Sequence, residues 1–92
     1  MQIIYSDKFN KRTDDIISYI WQDSPKRALK FYDDLMLQIK NLTFMPYSYR
    51  RSITANDDRV RDLIFKKYVI VFLINKENDT IEILNIYSRN LP

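Results

Sequence analysis

The sequence of 92 residues contains no histidine, no cysteine and no glycine. Without cysteine, disulfides, thiolate catalysis and the usual zinc sites are excluded. Without histidine, a Ser-His-Asp triad is excluded, and so is any imidazole acid or base supplied by this chain. Without glycine, a glycine-rich phosphate loop is excluded, and tight turns must rely on Asn and Asp. We therefore expect neither a metal nor a cofactor.

Long apolar stretches are also missing. The longest apolar run, Tyr68 to Ile74, is far shorter than the roughly 20 residues that span a bilayer. The first residues, Met1 to Asp7, lack the basic start and apolar stretch of a signal peptide. Together with the absence of cysteine, this predicts a cytoplasmic protein without a membrane partner. The length and a hydrophobic content of 46% predict one folded domain over residues 1–92.

The first half of the chain predicts one strand and two helices. Gln2–Tyr5 is a short apolar strand, and Ser6 is a candidate N-cap for the first helix. This helix should end near Asp23, because Pro25 disfavours the helical conformation at Ser24. Its apolar residues fall on one helical stripe, which consists of Phe9, Thr13, Ile16, Ile17 and Ile20.

The second helix is predicted to be apolar on two sides. Ser24 is its cap, Pro25 takes its first position, and Met45-Pro46 ends it. Its core stripe is Ala28, Phe31, Leu35, Ile39 and Leu42, and a second stripe beside it is Leu29, Tyr32 and Met36. Such a helix packs against two neighbours, here the first helix and a sheet. A bound partner could cover the remaining apolar surface.

The second half predicts three strands after a polar, irregular segment at Tyr47 to Asp58. The strands span Arg59 to Phe65, Tyr68 to Asn75 and Thr80 to Ser88, with Lys66-Lys67 in the first turn. The middle strand is apolar on both faces, so it should be central in the sheet. The order β-α-α-β-β-β predicts an α+β fold, with a helical hairpin packed on a small, mostly antiparallel sheet of about four strands. Residues expected in its core include Phe31, Leu35, Ile39, Ile70, Phe72, Ile81 and Ile83.

Positive charge is concentrated in one segment. The whole chain carries a formal charge of +3, and the segment from Arg50 to Lys67 holds six basic and three acidic residues. Such a surplus favours an anionic partner, either a nucleic acid or an acidic peptide. It is equally typical of a loop and edge strand kept in solution by charge. The basic residues are Arg50, Arg51, Arg59, Arg61, Lys66 and Lys67.

The end of the last strand supplies a second candidate group. Period-2 alternation places Tyr87 and Arg89 on one face, and Arg61 lies two strands away. Arginine grips phosphates, and a tyrosine stacks on a base or, if its pKa is lowered, accepts a proton. These residues would suffice to bind RNA and to assist attack by a 2′-hydroxyl. In the alternative interpretation Arg61 pairs with an acidic neighbour and Tyr87 packs at the edge of the core.

The order and spacing of these segments resemble the RelE/ParE superfamily of toxins from type II toxin–antitoxin modules. The second helix and the following Pro46-Tyr47-x-Tyr49-Arg50 resemble the ParE branch. Arg61-x-Leu63, Tyr68-x-Ile70-x-Phe72 and the ending Tyr87-Ser88-Arg89 resemble the later strands of the superfamily. The resemblance covers residues 3 to 90. Relatives often have a histidine where Tyr87 stands, and many ribonuclease relatives have a basic residue in the strand that begins at Tyr68.

This resemblance implies a toxin that is neutralised by a cognate antitoxin in a hetero-oligomer. The ParE branch implies inhibition of DNA gyrase without catalysis. The RelE branch implies a metal-independent endoribonuclease that cuts mRNA on the ribosome, here with Arg61, Tyr87 and Arg89. A degenerate toxin that only binds its antitoxin is the third alternative. We expect the target to contact Arg50, Arg51, Arg59, Arg61, Lys66, Lys67, Tyr87 and Arg89, and the antitoxin to contact Leu29, Tyr32 and Met36.

Overall fold

The computed structural model describes residues 1–89, which form two helices and five strands. In chain order these are β1 (Gln2–Tyr5), α1 (Asp7–Asp23), α2 (Pro25–Lys40), β2 (Arg50–Arg51), β3 (Val60–Phe65), β4 (Tyr68–Asn75) and β5 (Thr80–Ser88). Two short 3₁₀ turns, Asn41–Thr43 and Pro46–Ser48, lie between α2 and β2. No helix in the described part of the chain is long and apolar enough to cross a membrane.

The sheet has the order β1-β5-β4-β3-β2. β1 pairs with β5 in parallel, from Gln2 opposite Thr80 onward, and all other pairs are antiparallel. The pairing of β4 with β5 contains an irregularity, since Phe72 lies opposite Ile83 whereas Val71 lies opposite Asn85. Leu84 is therefore an extra residue in β5, as in a β-bulge. The two-layer α+β architecture predicted from the sequence is confirmed.

Both helices begin where the sequence predicts. The Ser6 side chain accepts a hydrogen bond from the backbone N–H of Phe9 at 3.0 Å, and the Ser24 side chain accepts one from Arg27 at 3.1 Å. Each serine thereby satisfies a backbone donor that has no partner within the first helical turn. Ser24 follows α1 directly and Pro25 opens α2, so the hairpin connection is a single capping residue.

The main core lies between the helices and one face of the sheet. All seven residues expected there are buried, from Phe31 on α2 to Ile83 on β5. The ring of Phe31 makes edge contacts with Phe65 and Tyr68, at centroid distances of 5.3 and 5.6 Å. These contacts join α2 to the β3–β4 hairpin, which positions the basic turn of that hairpin beside the helices.

A smaller cluster covers the opposite face of the sheet. Its buried members are Val60, Val69 and Val71, and the partly buried Ala55, Leu73, Leu84 and Tyr87 pack against them. β4 is therefore central and covered on both faces, as its apolar sequence predicts. Both helices lie on the first face. The second face is covered by the side chains of this smaller cluster, including Ala55 from the loop before β3.

Two predicted boundaries were wrong. α2 ends at Lys40 rather than at Met45-Pro46, because the backbone tightens into the 3₁₀ turn Asn41–Thr43, where the Thr43 hydroxyl donates to the Lys40 carbonyl at 3.0 Å. The segment expected to be irregular contains β2, which pairs Arg50 with Asp62 on β3. The sheet thus has five strands rather than about four.

Two turn residues have positive φ angles in this glycine-free chain. Asp79, at φ 54°, lies in the β4–β5 turn and fits the expectation that Asn and Asp replace glycine. Lys66, at φ 53°, lies in the β3–β4 turn. A lysine is uncommon in this conformation, because its Cβ is crowded there.

Candidate functional site

The side chain of Arg61 is occupied by contacts within the protein. Its guanidinium donates to the carbonyl oxygens of Asp58, Tyr47 and Tyr49, at 2.8, 3.3 and 3.0 Å. It also lies over the Tyr47 ring, 5.1 Å from the centroid. Arg61 therefore fastens the segment between α2 and β2 to β3. The acidic partner of the alternative interpretation is replaced by backbone carbonyls.

Arg61 and Tyr87 are not brought together. Arg61 lies on the same face of β3 as Leu63 and Phe65, which belong to the core under the helices. Tyr87 lies opposite Val69 and packs in the cluster on the other face. The extra residue in β5 causes this separation, because it shifts the alternation that Ile81 and Ile83 begin.

Tyr87 lies near a buried ion pair. The Asp62 carboxylate is fully buried, and its Oδ2 atom is 3.2 Å from a guanidinium nitrogen of Arg50. This contact is an ion pair without the alignment of a hydrogen bond. Among residues 1–89 neither Asp62 oxygen nor the buried Tyr87 hydroxyl has a hydrogen-bond partner. Burial raises the pKa of Tyr87, and the charge of Asp62 adds to this, whereas Arg50 opposes it. Tyr87 thus keeps its proton at neutral pH and is a poor general base.

Two further arginines pair with acidic residues of the same loop. Arg59 contacts Asp57 at 2.8 Å, and its side-chain and backbone hydrogen bonds lower the pKa of Asp57 to about 2. Arg51 contacts Asp58, also at 2.8 Å. These pairs are solvent-exposed, so they contribute little stability. They do reduce the positive charge that the loop presents to a partner.

The unpaired positive charge of the segment from Arg50 to Lys67 lies at one end of it. Its three acidic residues each pair with one arginine, and Arg61 is bonded to carbonyls. No carboxylate of residues 1–89 lies within ion-pair distance of Lys66 or Lys67. The unpaired positive charge of this segment is therefore on the β3–β4 turn. A count of basic residues in the sequence cannot show which of them are paired.

Arg89 joins these lysines at one corner of the sheet. Its backbone N–H donates to the Lys67 carbonyl at 2.7 Å, and its guanidinium donates to the Lys66 carbonyl at 3.3 Å. The Lys66 ammonium lies 5.9 and 5.6 Å from the ring centroids of Phe31 and Phe65. Of the eight predicted target-contact residues, three therefore meet in one exposed cluster, Lys66, Lys67 and Arg89, which we call the basic corner.

The second stripe of α2 is exposed as its pattern predicts. Leu29 and Tyr32 are exposed, and Met36 is half-buried against the core. Tyr32 also contributes to the raised pKa of Tyr5, after the larger effect of burial, so the stripe extends toward the edge strand β1. The exposed apolar area is available to a partner.

Sequence reasoning missed other exposed apolar residues. On α1 these are Tyr19 and Trp21, and beyond the end of α2 they are Phe44 and Met45. Trp21 lies outside the core stripe of α1, and this position in the sequence could have identified it as an exposed residue. Leu37, 59% exposed, likewise lies outside both stripes of α2.

Residues 1–89 contain no cluster of three or more acidic, histidine or cysteine side chains that could hold a metal ion. The arrangement offers charged and apolar contact surfaces. The predicted acid–base group is divided between the two faces of the sheet.

Comparisons with known proteins agree with this fold. The family described as "ParE toxin of type II toxin-antitoxin system, parDE" matches residues 3–90. A solved structure described as "Chromosomal ParDE TA system from P. aeruginosa" superposes with a TM-score of 0.76. The two chains are 24% identical, and the match covers 96% of this chain and 95% of the other. No curated protein sequence matches the chain significantly.

Proposed function

The chain belongs to the ParE toxin family of type II toxin–antitoxin systems, and we propose that it inhibits DNA gyrase in the cytoplasm and is neutralised by a cognate antitoxin. The observation that carries the gyrase assignment is the separation of Arg61 from Tyr87 on opposite faces of the sheet. A ribonuclease needs these groups at one phosphate, whereas a binding toxin does not.

The chemical requirements of RNA cleavage also favour gyrase inhibition over a ribonuclease. Attack by a 2′-hydroxyl requires a proton acceptor beside it and a proton donor beside the leaving oxygen. The chain has no histidine, and burial raises the pKa of Tyr87, which disfavours it as an acceptor. The guanidinium of Arg61 already donates to three carbonyls. These observations support inhibition by contact.

The basic corner is the surface we assign to the target. Lys66 and Lys67 have no carboxylate partner in the described chain, and Arg89 is exposed beside them. Arg50, Arg51 and Arg59 contribute less, because each is paired with an aspartate. Long-range attraction to an acidic surface depends on charges that are not already neutralised.

The exposed stripe of α2 is the surface we assign to the antitoxin. Leu29, Tyr32 and Met36 follow a spacing of three and four residues, so they form one ridge. An amphipathic segment of the antitoxin can bury this ridge as a helix does in a groove. Acidic residues flanking that segment would meet the basic corner.

The test compares the two targets directly. Purified chain is incubated with gyrase and plasmid DNA, and separately with translating ribosomes and mRNA. We expect trapped gyrase–DNA cleavage complexes that weaken in Arg89→Ala but persist in Tyr87→Phe and in the matched control Lys8→Ala. Circular dichroism checks that each variant is folded.

Two other outcomes would contradict gyrase inhibition. Cleaved mRNA with unaffected gyrase, and loss of that cleavage in Tyr87→Phe, would replace the proposal with a RelE-like ribonuclease. Inactivity in both assays, with tight antitoxin binding, would identify a degenerate toxin.

A further inference from the structure

A groove runs between the helical hairpin and the β3–β4 turn. Its volume is about 960 Å³. One wall is formed by the end of α1 and the start of α2, and the other by Lys66, Lys67 and Tyr68. Four cationic side chains and one carboxylate line it, together with aromatic rings from both walls. No sequence pattern associates the end of α1 with these lysines.

The cationic side chains of the two walls differ in whether they are already paired with a carboxylate. On the helical wall, Arg27 contacts Asp23 at 2.8 Å and Lys30 contacts Asp34 at 3.2 Å. On the opposite wall, Lys66 and Lys67 contact aromatic rings, and no carboxylate of residues 1–89 is within 4.0 Å of either. The available positive charge is therefore on the hairpin turn.

The turn holds one of these lysines in a costly conformation. Lys66 has a φ of 53°, whereas the other residue with a positive φ, in the β4–β5 turn, is Asp79, a residue type that tolerates this region better. The guanidinium and backbone of Arg89 anchor the carbonyls of Lys66 and Lys67. A fixed, unfavourable backbone that carries a charged side chain is typical of a functional position.

The residue types indicate which anion fits. Carboxylates are gripped best by the planar fork of arginine, but Arg27, the arginine in the lining, is already paired. The available groups are lysine ammoniums, which bind phosphates as point charges. Tyr19, 76% exposed at the groove, offers a face on which a base or sugar can rest.

We propose that this groove binds the phosphodiester backbone of a nucleic acid, with Lys66 and Lys67 contacting successive phosphates. This goes beyond gyrase inhibition, since a gyrase inhibitor need not touch nucleic acid. It gives the toxin a direct contact to a strand presented by its target.

The test measures binding of nucleic acid alone, without gyrase. Labelled duplex DNA of about 20 base pairs, roughly two helical turns, is titrated with purified chain by fluorescence anisotropy. Single-stranded DNA and RNA of the same length form separate arms. The variant is Lys66→Asn with Lys67→Gln, because asparagine tolerates the positive φ and keeps the turn folded. The matched control, Lys8→Gln with Lys11→Gln, removes the same charge from the first two turns of α1, at the end of the helix that does not line the groove.

We expect the groove variant to bind duplex DNA at least about tenfold more weakly at 50 mM salt. Its slope of log K against log salt should be shallower by about two, one for each lost phosphate contact. The control should change both far less. The three arms identify whether duplex DNA or a single strand is preferred.

Equal slopes and affinities for the groove variant and the control would overturn the proposal. So would groove-dependent binding of an oligoglutamate peptide with no binding of any nucleic acid. If gyrase is inhibited while nucleic acid does not bind, the groove proposal fails alone. If nucleic acid binds while gyrase is unaffected, the proposed function fails alone.

Discussion

The fully buried carboxylate of Asp62 lies 3.2 Å from the guanidinium of Arg50, which is half exposed. The two residues face each other in the register that joins β2 to β3. Because a buried charge that loses its partner is costly, we expect Arg50→Gln to lower the free energy of unfolding by about 1–3 kcal/mol. Adding Asp62→Asn removes the stranded charge and should restore part of this loss. Urea unfolding of both single variants and the double variant measures the coupling.

The control for this pair is Arg51→Gln, which breaks the exposed contact with Asp58. We expect a change of about 0.5 kcal/mol or less. An equal loss in Arg50→Gln and Arg51→Gln would contradict the special role of the buried carboxylate.

The raised pKa of Tyr87 predicts a loss of stability in alkali. The folded chain holds the Tyr87 proton over a pH range in which the unfolded chain, with a tyrosine pKa of about 10, has released it. The contribution is thus complete below pH 10 and is lost as pH rises through the folded pKa. As pH rises above about 10, Tyr87→Phe should therefore lose less stability than the original chain. Unfolding measured across this range tests it, and identical pH profiles would refute it.

Antitoxin binding should depend on the exposed ridge of α2. Leu29→Asp places a charge at a position that is 56% exposed in the free chain and buried in the proposed complex. We expect a loss of affinity of at least about 2 kcal/mol, roughly thirtyfold, by calorimetry. The matched control is Leu37→Asp, on the same helix and 59% exposed. Similar losses in both variants would place the antitoxin elsewhere.

Phe31 is the residue whose truncation should cost the fold most clearly. It is buried and contacts Phe65 and Tyr68 through ring edges. Phe31→Ala should lower the free energy of unfolding by about 3–5 kcal/mol. Leu29→Ala, at an exposed position of the same helix, should cost less than about 1 kcal/mol. A small effect at Phe31 would mean that the core can collapse around the cavity.

The helices and the three long strands were predictable because their signals are local. The side chains of Ser6 and Ser24 each accept a hydrogen bond from a backbone amide three residues later in the chain. The strand Arg50–Arg51 was not predictable, since two charged residues become a strand only through the partner that Asp62 and Arg61 supply. The end of α2 was missed because Leu42 continues the apolar stripe of the helix in the sequence, and it is buried although it lies in the 3₁₀ turn.

The site was predictable in composition but not in arrangement. Simple alternation counted from Ile81 assigns Tyr87 to the helix-covered face, where Arg61 lies. The extra residue at Leu84 reverses this assignment, and a bulge in an apolar strand has no clear sequence signal when the chain lacks glycine. Which of the basic residues stay unpaired was equally hidden, because it depends on contacts among residues 47–62.

The parallel pairing of β1 with β5 determines when the sheet can be completed. Among the described residues β1 pairs with β5 alone, so its register, Gln2 opposite Thr80, cannot form until β5 has been synthesised. β5 is also one of the two partners of the central strand β4. Pairings of such large sequence separation form slowly, so the nascent toxin is held unfinished during translation. A cell that makes its antitoxin first would therefore gain an interval in which to capture each newly completed toxin.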